Sequence, residues 1–258
     1  MNYPIYIPTR GRAGDISTLN VLPTSMLYRV ILVVRKDEAA AYEEAHPDTA
    51  RLVLPSHIEG IHMTRQWILD RCWQNGLSVC IMYDDDITSF GHKPDTDSWK
   101  IVPASKTRIA SMDRQFIRWV ENGAVAMCGS SDRLAAGRGR KEYQDNTRIA
   151  QVMYLNATLA SERSWRYDRV VVMGDMDMCM QIVADGMTVR KSLKYTHNLK
   201  PEGYRGGCAL YRKDKHRRDA YRILRSHFGD CIVVNGLRHR IRWKKLAELS
   251  KTSDRLSQ

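Results

Sequence analysis

The chain has no stretch of 18 apolar residues, no Cys-x-x-Cys pair and no glycine-rich nucleotide fingerprint. Each absence excludes something. Without the first, no helix able to cross a bilayer is expected. Met1-Asn2-Tyr3-Pro4 also lacks the basic and apolar regions of a signal peptide, so a cytoplasmic location is the expectation. The six cysteines (72, 80, 128, 179, 208 and 231) are scattered, with neither zinc spacing nor the density of a disulfide framework. Reduced, mostly buried thiols are expected. The Walker and dinucleotide glycine patterns are both missing, which removes support for ATPases of that type and for NAD enzymes. There is no internal repeat and no linker. The expected organisation is a composite core over residues 1–200 with a basic, partly helical extension over 201–258 packed on it.

What is present is a local excess of positive charge. The 258 residues have an ordinary hydrophobic share (43%) and charged share (27%), but their net charge is +12, which calls for an anionic partner. Between Arg205 and Lys245 stand 13 Lys/Arg against three Asp, so that segment alone holds +10. Tyr204, Tyr211, Tyr221, Phe228 and Trp243 are interleaved among those cations. Cations for phosphates and rings for stacking suit nucleic acid. Ala220, Ile223 and Leu224 also support a plain amphipathic helix with a solvated basic face. The candidates for DNA contact are Arg217, Arg218, Arg222 and Arg225. Arg138 and Arg140 join them from Gly129–Asp145, a stretch without periodicity that reads as a mobile basic loop.

The first half alternates strand and helix signals. Ile5–Pro8, Val30–Val34, Arg51–Pro55 and Leu77–Tyr83 read as strands, with a helix over Asp37–Ala45 between the second and third. Before the fourth strand, Ile58, Ile61, Ile68, Leu69 and Cys72 share one helical face. Arg65 occupies the one cationic position of that stripe and needs a partner: a core Asp, a phosphate or the acidic cluster that follows. This alternation predicts an α/β fold with a Rossmann-like, mostly parallel central sheet flanked by helices. In the second half Gly91–Ser105 reads as an exposed polar loop. A helix carries Ile109, Met112, Phe116, Trp119 and Val120, and strands are expected in Gln151–Leu159, Arg169–Met173 and Met187–Tyr195.

The strongest chemical signal is Ile81-Met82-Tyr83-Asp84-Asp85-Asp86. Three adjacent carboxylates ending an apolar strand repel one another and resist desolvation, so a cation is expected beside them. On an extended chain Asp84 and Asp86 point the same way and can converge on one ion, while Asp85 faces elsewhere. Oxygen ligands suit Mg²⁺ or Mn²⁺, with water and diphosphate completing the shell; a solvated acidic turn is the plain alternative. Asp175 and Asp177 follow a second apolar run. Either could take a proton from an acceptor hydroxyl, with Asp175 facing the mouth if it caps the next helix, or Asp175 could serve as a cap and no more. His197 could supply a third metal ligand, although a lone histidine is more often a surface residue. Pro8-Thr9-Arg10-Gly11-Arg12 ends the first strand with two cations and a glycine, chemistry suited to a nucleotide's base and phosphates.

Taken in order, Ile5 to Arg12, Arg65, Asp84-Asp85-Asp86, Asp175/Asp177 and His197 resemble the GT-A glycosyltransferases. Within them the pattern is most similar to the TET/JBP-associated group, phage-type enzymes that glycosylate hydroxymethylated DNA bases. The resemblance spans roughly residues 4 to 200. It is specific at the triplet, which matches the family's metal-binding Asp-x-Asp, and weaker at Asp175, where Asp177 could serve instead; the tail after Arg205 matches nothing. It implies a GT-A-like fold, a UDP-sugar donor, Mn²⁺ or Mg²⁺, and the host cytoplasm if the chain is phage-encoded. Pro8, Thr9 and Arg10 would then hold the donor's base and ribose, with Arg12 and Asp85 in the same donor site. Arg65 would meet the diphosphate or the first acidic residue, Asp84 and Asp86 the ribose and metal, and His197 would close the metal shell.

Three acceptors compete. A hydroxymethylated DNA base stands first, and it would have to be flipped out of a duplex or single-stranded. Glycan or lipid-linked acceptors and proteins follow. A different class is a metal-dependent nuclease or nucleotidyltransferase holding ions between its carboxylates. A pure DNA-binding module leaves the triplet unexplained.

Overall fold

The computed structural model describes residues 2–95, 100–136, 141–201, 213–236 and 238–256. The strands are β1 (Ile5–Pro8), β2 (Val30–Val34), β3 (Ala50–Val53), β4 (Val79–Tyr83), β5 (Ile87–His92), β6 (Val102–Pro103), β7 (Met127–Asp132), β8 (Tyr143–Asp145), β9 (Val152–Asn156), β10 (Val189–Leu199), β11 (Ile232–Asn235) and β12 (Arg238–Ile241). The helices are α1 (Ser17–Val21), α2 (Thr24–Leu27), α3 (Ala39–Ala45), α4 (Gly60–Gln74), α5 (Lys106–Glu121), α6 (Arg133–Ala136), α7 (Ala157–Glu162), α8 (Gly174–Ala184), α9 (Asp214–Phe228) and α10 (Trp243–Leu256).

The fold is α/β, as expected. β3-β2-β1-β4 form a parallel half-sheet. β1 and β4 are buried at every position, as apolar strands covered on both faces must be. Beyond β4 the sheet becomes mixed. β9 is antiparallel to β4 and to β7, β10 is parallel to β7, and β5, β6 and β8 join antiparallel. Alternate side chains feed two apolar cores, one containing Tyr6, Cys80 and Met82 and the other Ile5, Ile7, Ile81 and Tyr83. Ala220, Leu224 and Phe228 of α9, Ile232 of β11 and Leu246 of α10 belong to the first core, together with Met178 and Ile182 of α8.

Three expectations are corrected. Arg169–Met173 is an irregular turn and not a strand; its apolar run is divided between a buried Val170 and a Val171 that is 41% exposed. Gly129–Asp132 is not loop but part of β7, whose first five positions are buried. Gly129 is what lets it pack there: a Cβ would lie 2.0 Å from the Val152 carbonyl oxygen. Within Gly91–Ser105, β5 and β6 pair and Lys93 is 2% exposed, so this stretch is not simply exposed loop. Arg138 and Arg140 lie outside the described residues.

Candidate active site

Beyond Tyr83 the three carboxylates occupy a turn that leads into β5 at Ile87. They are not on extended chain, so the alternation expected for Asp84 and Asp86 does not apply; Asp84 meets Arg65, and Asp85 and Asp86 share Arg12. Asp84 Oδ1 accepts from Arg65 Nη2 at 2.7 Å, which identifies the partner that the stripe of α4 required. Asp85, 6% exposed, accepts from the Thr9 hydroxyl at 2.7 Å and from Arg12. Asp86 accepts from Arg12 Nη1 at 3.3 Å. Burial pushes the Asp85 carboxyl up to about 6 while Thr9 and Arg12 pull the other way, so it is ionised at neutral pH. Thr18 of α1 clamps the turn's backbone. Its hydroxyl donates to the Asp84 carbonyl at 2.7 Å and accepts from the Ile87 N–H at 3.0 Å, a role for which its sequence context gives no signal.

The turn lines a cleft of about 780 Å³ outside the carboxyl ends of β1 and β4, where open α/β sheets bind ligands. Pro8, Thr9, Arg10 and Arg12 line one side, and Ile61, His62, Thr64 and Arg65 of α4 another. Gln151, Val171 to Asp175, Leu199 to Pro201 and Arg217 complete the wall. Seven cations (Arg10, Arg12, Arg35, Arg65, Arg148, Lys200, Arg217) face four carboxylates there, so the cleft is net positive and suited to a polyanion. A recess of about 500 Å³ adjoins it at Arg35, Leu54 and Ile58. Lys200 donates its backbone N–H to the Asp86 carbonyl at 3.0 Å. Of the four arginines expected on α9 for DNA, Arg217 turns into the cleft, whereas Arg218, Arg222 and Arg225 are exposed. Sequence reasoning did not select His62, Arg148, Gln151 or Lys200. None sits in a recognisable motif, and only Lys200, just past the strand bearing His197, occupied a readable position.

Among the described residues no three His, Cys, Asp or Glu side chains are grouped to hold a metal ion. The expected ready-made trio of Asp84, Asp86 and His197 is corrected to that extent, because Asp84 is turned to Arg65. Two buried atoms of that trio nonetheless have no hydrogen-bond partner among the described residues, Asp86 Oδ1 and His197 Nε2. His197 is 1% exposed on β10, not a surface residue, and Ser130 Oγ fixes its Nδ1 at 2.7 Å. Burial takes its pKa down to about 4 against the pull of Asp84 and Asp132, so the ring is neutral. A neutral imidazole with one nitrogen fixed and the other open is the form that binds metal. Each is a donor of a kind that a divalent ion takes; Asp86 lines the cleft, whereas His197 lies behind its wall, where Asp84 and Asp132 act on it.

Asp175 and Asp177 part company. The N-cap of α8 is Met173, at φ +69° and without a side-chain cap bond, so Asp175 is not the cap. It lines the cleft one place inside the helix and accepts from Arg148 Nε at 2.6 Å. Burial opposes its charge, but Arg148 and Arg65 outweigh it and hold the carboxyl below its usual value. Asp177 is fully buried and absent from the cleft wall, with Gln181 Nε2 at 3.1 Å and Arg169 at 3.2 Å. No substrate reaches it there, and the catalytic role expected for it is withdrawn. Burial lifts its carboxyl to about 6.

The sequence profile of the TET-Associated Glycosyltransferase family matches residues 3–196, about three quarters of the chain. The chain belongs to this family. As a TET-Associated Glycosyltransferase it is an enzyme of sugar transfer, and the family match takes in every cleft residue named above from Pro8 to Asp175. No curated protein matches it. Solved structures similar to this glycosyltransferase include mannose-1-phosphate geranyltransferase from Thermus thermophilus, with 11% identity, TM-score 0.45, and coverage of 77% of this chain and 75% of that one. Another is 4-diphosphocytidyl-2C-methyl-D-erythritolsynthase from Anaerococcus prevotii (11%, 0.46, 76% and 88%). A third is GalNAc-T7 with UDP, GalNAc and Mn²⁺ (10%, 0.49, 86% of this chain and 48% of that one). No helix among the described residues is long and apolar enough to cross a membrane.

Proposed function

We propose that this glycosyltransferase moves a sugar from a nucleoside diphosphate donor, a UDP-sugar, to a hydroxymethylated base in DNA, with a divalent cation at Asp86 and His197. The observation that carries this reading is the meeting of an acidic turn with a cation-rich wall in one cleft at the strand ends. The recess at Arg35 and Leu54 supplies room for the donor's base, with Pro8, Thr9 and Arg10 between it and the turn. Arg12 and Arg65 suit the diphosphate, and both are already oriented by the carboxylates they hold. Asp86 Oδ1 and His197 Nε2 are the open donors toward Mn²⁺ or Mg²⁺, which would stabilise the negative charge that develops on the leaving diphosphate. DNA is supported by the position of Arg217, which continues the exposed basic face of α9 into the cleft.

Calorimetry tests the donor half: UDP should bind in the presence of Mn²⁺ and much more weakly without it. Asp86→Ala should fold and lose transfer, and wild-type turnover in that variant would remove the triplet from the mechanism. Mass spectrometry of DNA containing 5-hydroxymethylcytosine, incubated with a panel of UDP-sugars, tests the acceptor; a hexose mass increment is the expected result. Cleavage of plasmid DNA with Mg²⁺ alone, without any sugar transfer, would favour the nuclease alternative.

A further inference from the structure

Glycosyl transfer to a hydroxyl releases a proton, and the carboxylates of the cleft are poorly suited to take it. Asp84, Asp85 and Asp86 each face an arginine. Asp175 is tied to Arg148 and held below its usual pKa, which lowers its basicity. Asp177 is sealed in the core.

His62 is placed differently. It stands in the first turn of α4 and lines the cleft, half-buried, and no hydrogen bond among the described residues engages its ring. Its Nδ1 is buried without a partner, which leaves Nε2 for the cleft. The ring lies over Gly60, at φ +75°, where a Cβ would sit 3.0 Å from both Cε1 and Nδ1. His62 Cβ also lies 3.9 Å from the position of a Cβ on Gly174, so the imidazole stands where the N-termini of α4 and α8 meet. The charged group that acts on it is Asp168, from the loop before α8; Arg65, one turn along α4, and Asp175 with Arg148 line the same cleft. Burial lowers the pKa of His62 and Asp168 acts in the opposite direction, which leaves the ring neutral and able to accept a proton at physiological pH.

We propose that His62 is the general base of the transfer reaction, an inference that rests on the glycosyltransferase reading of the cleft. Nε2 takes the proton from the acceptor hydroxyl as that oxygen bonds to the anomeric carbon. The bond from the anomeric carbon to the donor's diphosphate breaks, and its electron pair leaves on the diphosphate oxygen. The imidazolium then gives its proton to water. Attack and departure occur on opposite faces, so the anomeric configuration inverts. Asp175 acts in this scheme as a positioning residue that holds Arg148.

The test uses the full chain, single-stranded DNA with 5-hydroxymethylcytosine, a UDP-sugar panel and Mn²⁺. Wild type should show kcat/KM falling on the acid side, with a midpoint below the ordinary histidine value. His62→Asn should bind UDP with Mn²⁺ within about twofold of wild type, lose about 100-fold or more in transfer, and lack that acid limb. Added imidazole should partly restore His62→Ala, and the product should have the inverted anomer. A His62→Asn enzyme with wild-type rate and an intact acid limb overturns the proposal. So does parallel loss of UDP binding, which would make His62 a donor contact, and so does a retained anomer. Absence of any transfer by wild type would instead bring down the underlying functional reading.

Discussion

At the residue scale, position on an element decides whether a charged side chain can work. Arg65 and Asp177 are both 8% exposed or less, yet only Arg65 reaches the cleft. It was legible in sequence because it interrupts an apolar stripe, and a cation there must have a partner. Asp177 misled because residues two apart on a helix point about 200° apart, so Asp175 and Asp177 of α8 cannot share a face. Arg65→Met should weaken UDP binding with Mn²⁺ by about tenfold, or about 1.4 kcal/mol, because Asp84 is left without its cation and repels the diphosphate; an unchanged calorimetric Kd would disprove that role. For Asp177 the folded pKa, about 6, lies above the unfolded carboxyl value. Its contribution to stability is therefore fully present below about pH 4 and is lost as pH rises through about 6. Asp177→Asn should flatten this decline, gaining roughly 2 kcal/mol on wild type between those limits. Urea melts at a series of pH values measure the difference, and parallel curves for the two proteins would refute it.

At the element scale, the parallel half-sheet was readable and the mixed half was not, for one physical reason. β1, β2 and β4 are apolar throughout because helices cover both faces, so composition alone marks them. β7 reads Met-Cys-Gly-Ser-Ser-Asp and is equally buried over its first five positions, but its small polar residues serve contacts that only the fold creates. Ser130 fixes His197, and Gly129 admits the Val152 carbonyl. Gly129→Ala should accordingly destabilise the chain by about 3 kcal/mol or more, because backbone atoms cannot retreat as a side chain can; a melting temperature within about 2 °C of wild type, a shift of about 1 kcal/mol or less, would contradict that. The extension's charge was legible and its facing was not. In α9, Arg217 belongs to the cleft, and Arg218, Arg222 and Arg225 form the outer face. Replacing those three by Gln should lower the slope of log affinity for DNA against log salt by about 2 to 3 while leaving UDP binding unchanged. An unaltered slope would place the DNA on another surface.

At the scale of the whole molecule, the basic tail is bound into the same apolar core as the α8 helix that lines the cleft. Leu246 is fully buried, and Phe228 packs in the first core with Met178 and Ile182 of α8. Phe228 also carries the Arg169 guanidinium 5.4 Å above its ring, and Arg169 faces Asp177 of α8. The helix that presents Asp175 to the cleft is thus held from behind by the segment that presents Arg218, Arg222 and Arg225 outside. A shared core unfolds as a unit when neither part can keep its apolar surface covered alone. Leu246→Ala should therefore cost about 2 to 4 kcal/mol and shift one transition, with fluorescence and circular dichroism melts coinciding in both wild type and variant. UDP with Mn²⁺ at about a hundredfold its Kd should raise that same transition by about 2.7 kcal/mol, even in Leu246→Ala, because the ligand grips the wall that the extension supports. An early transition confined to the extension, insensitive to UDP, would mean that α9 and α10 rest on the core without stabilising the site.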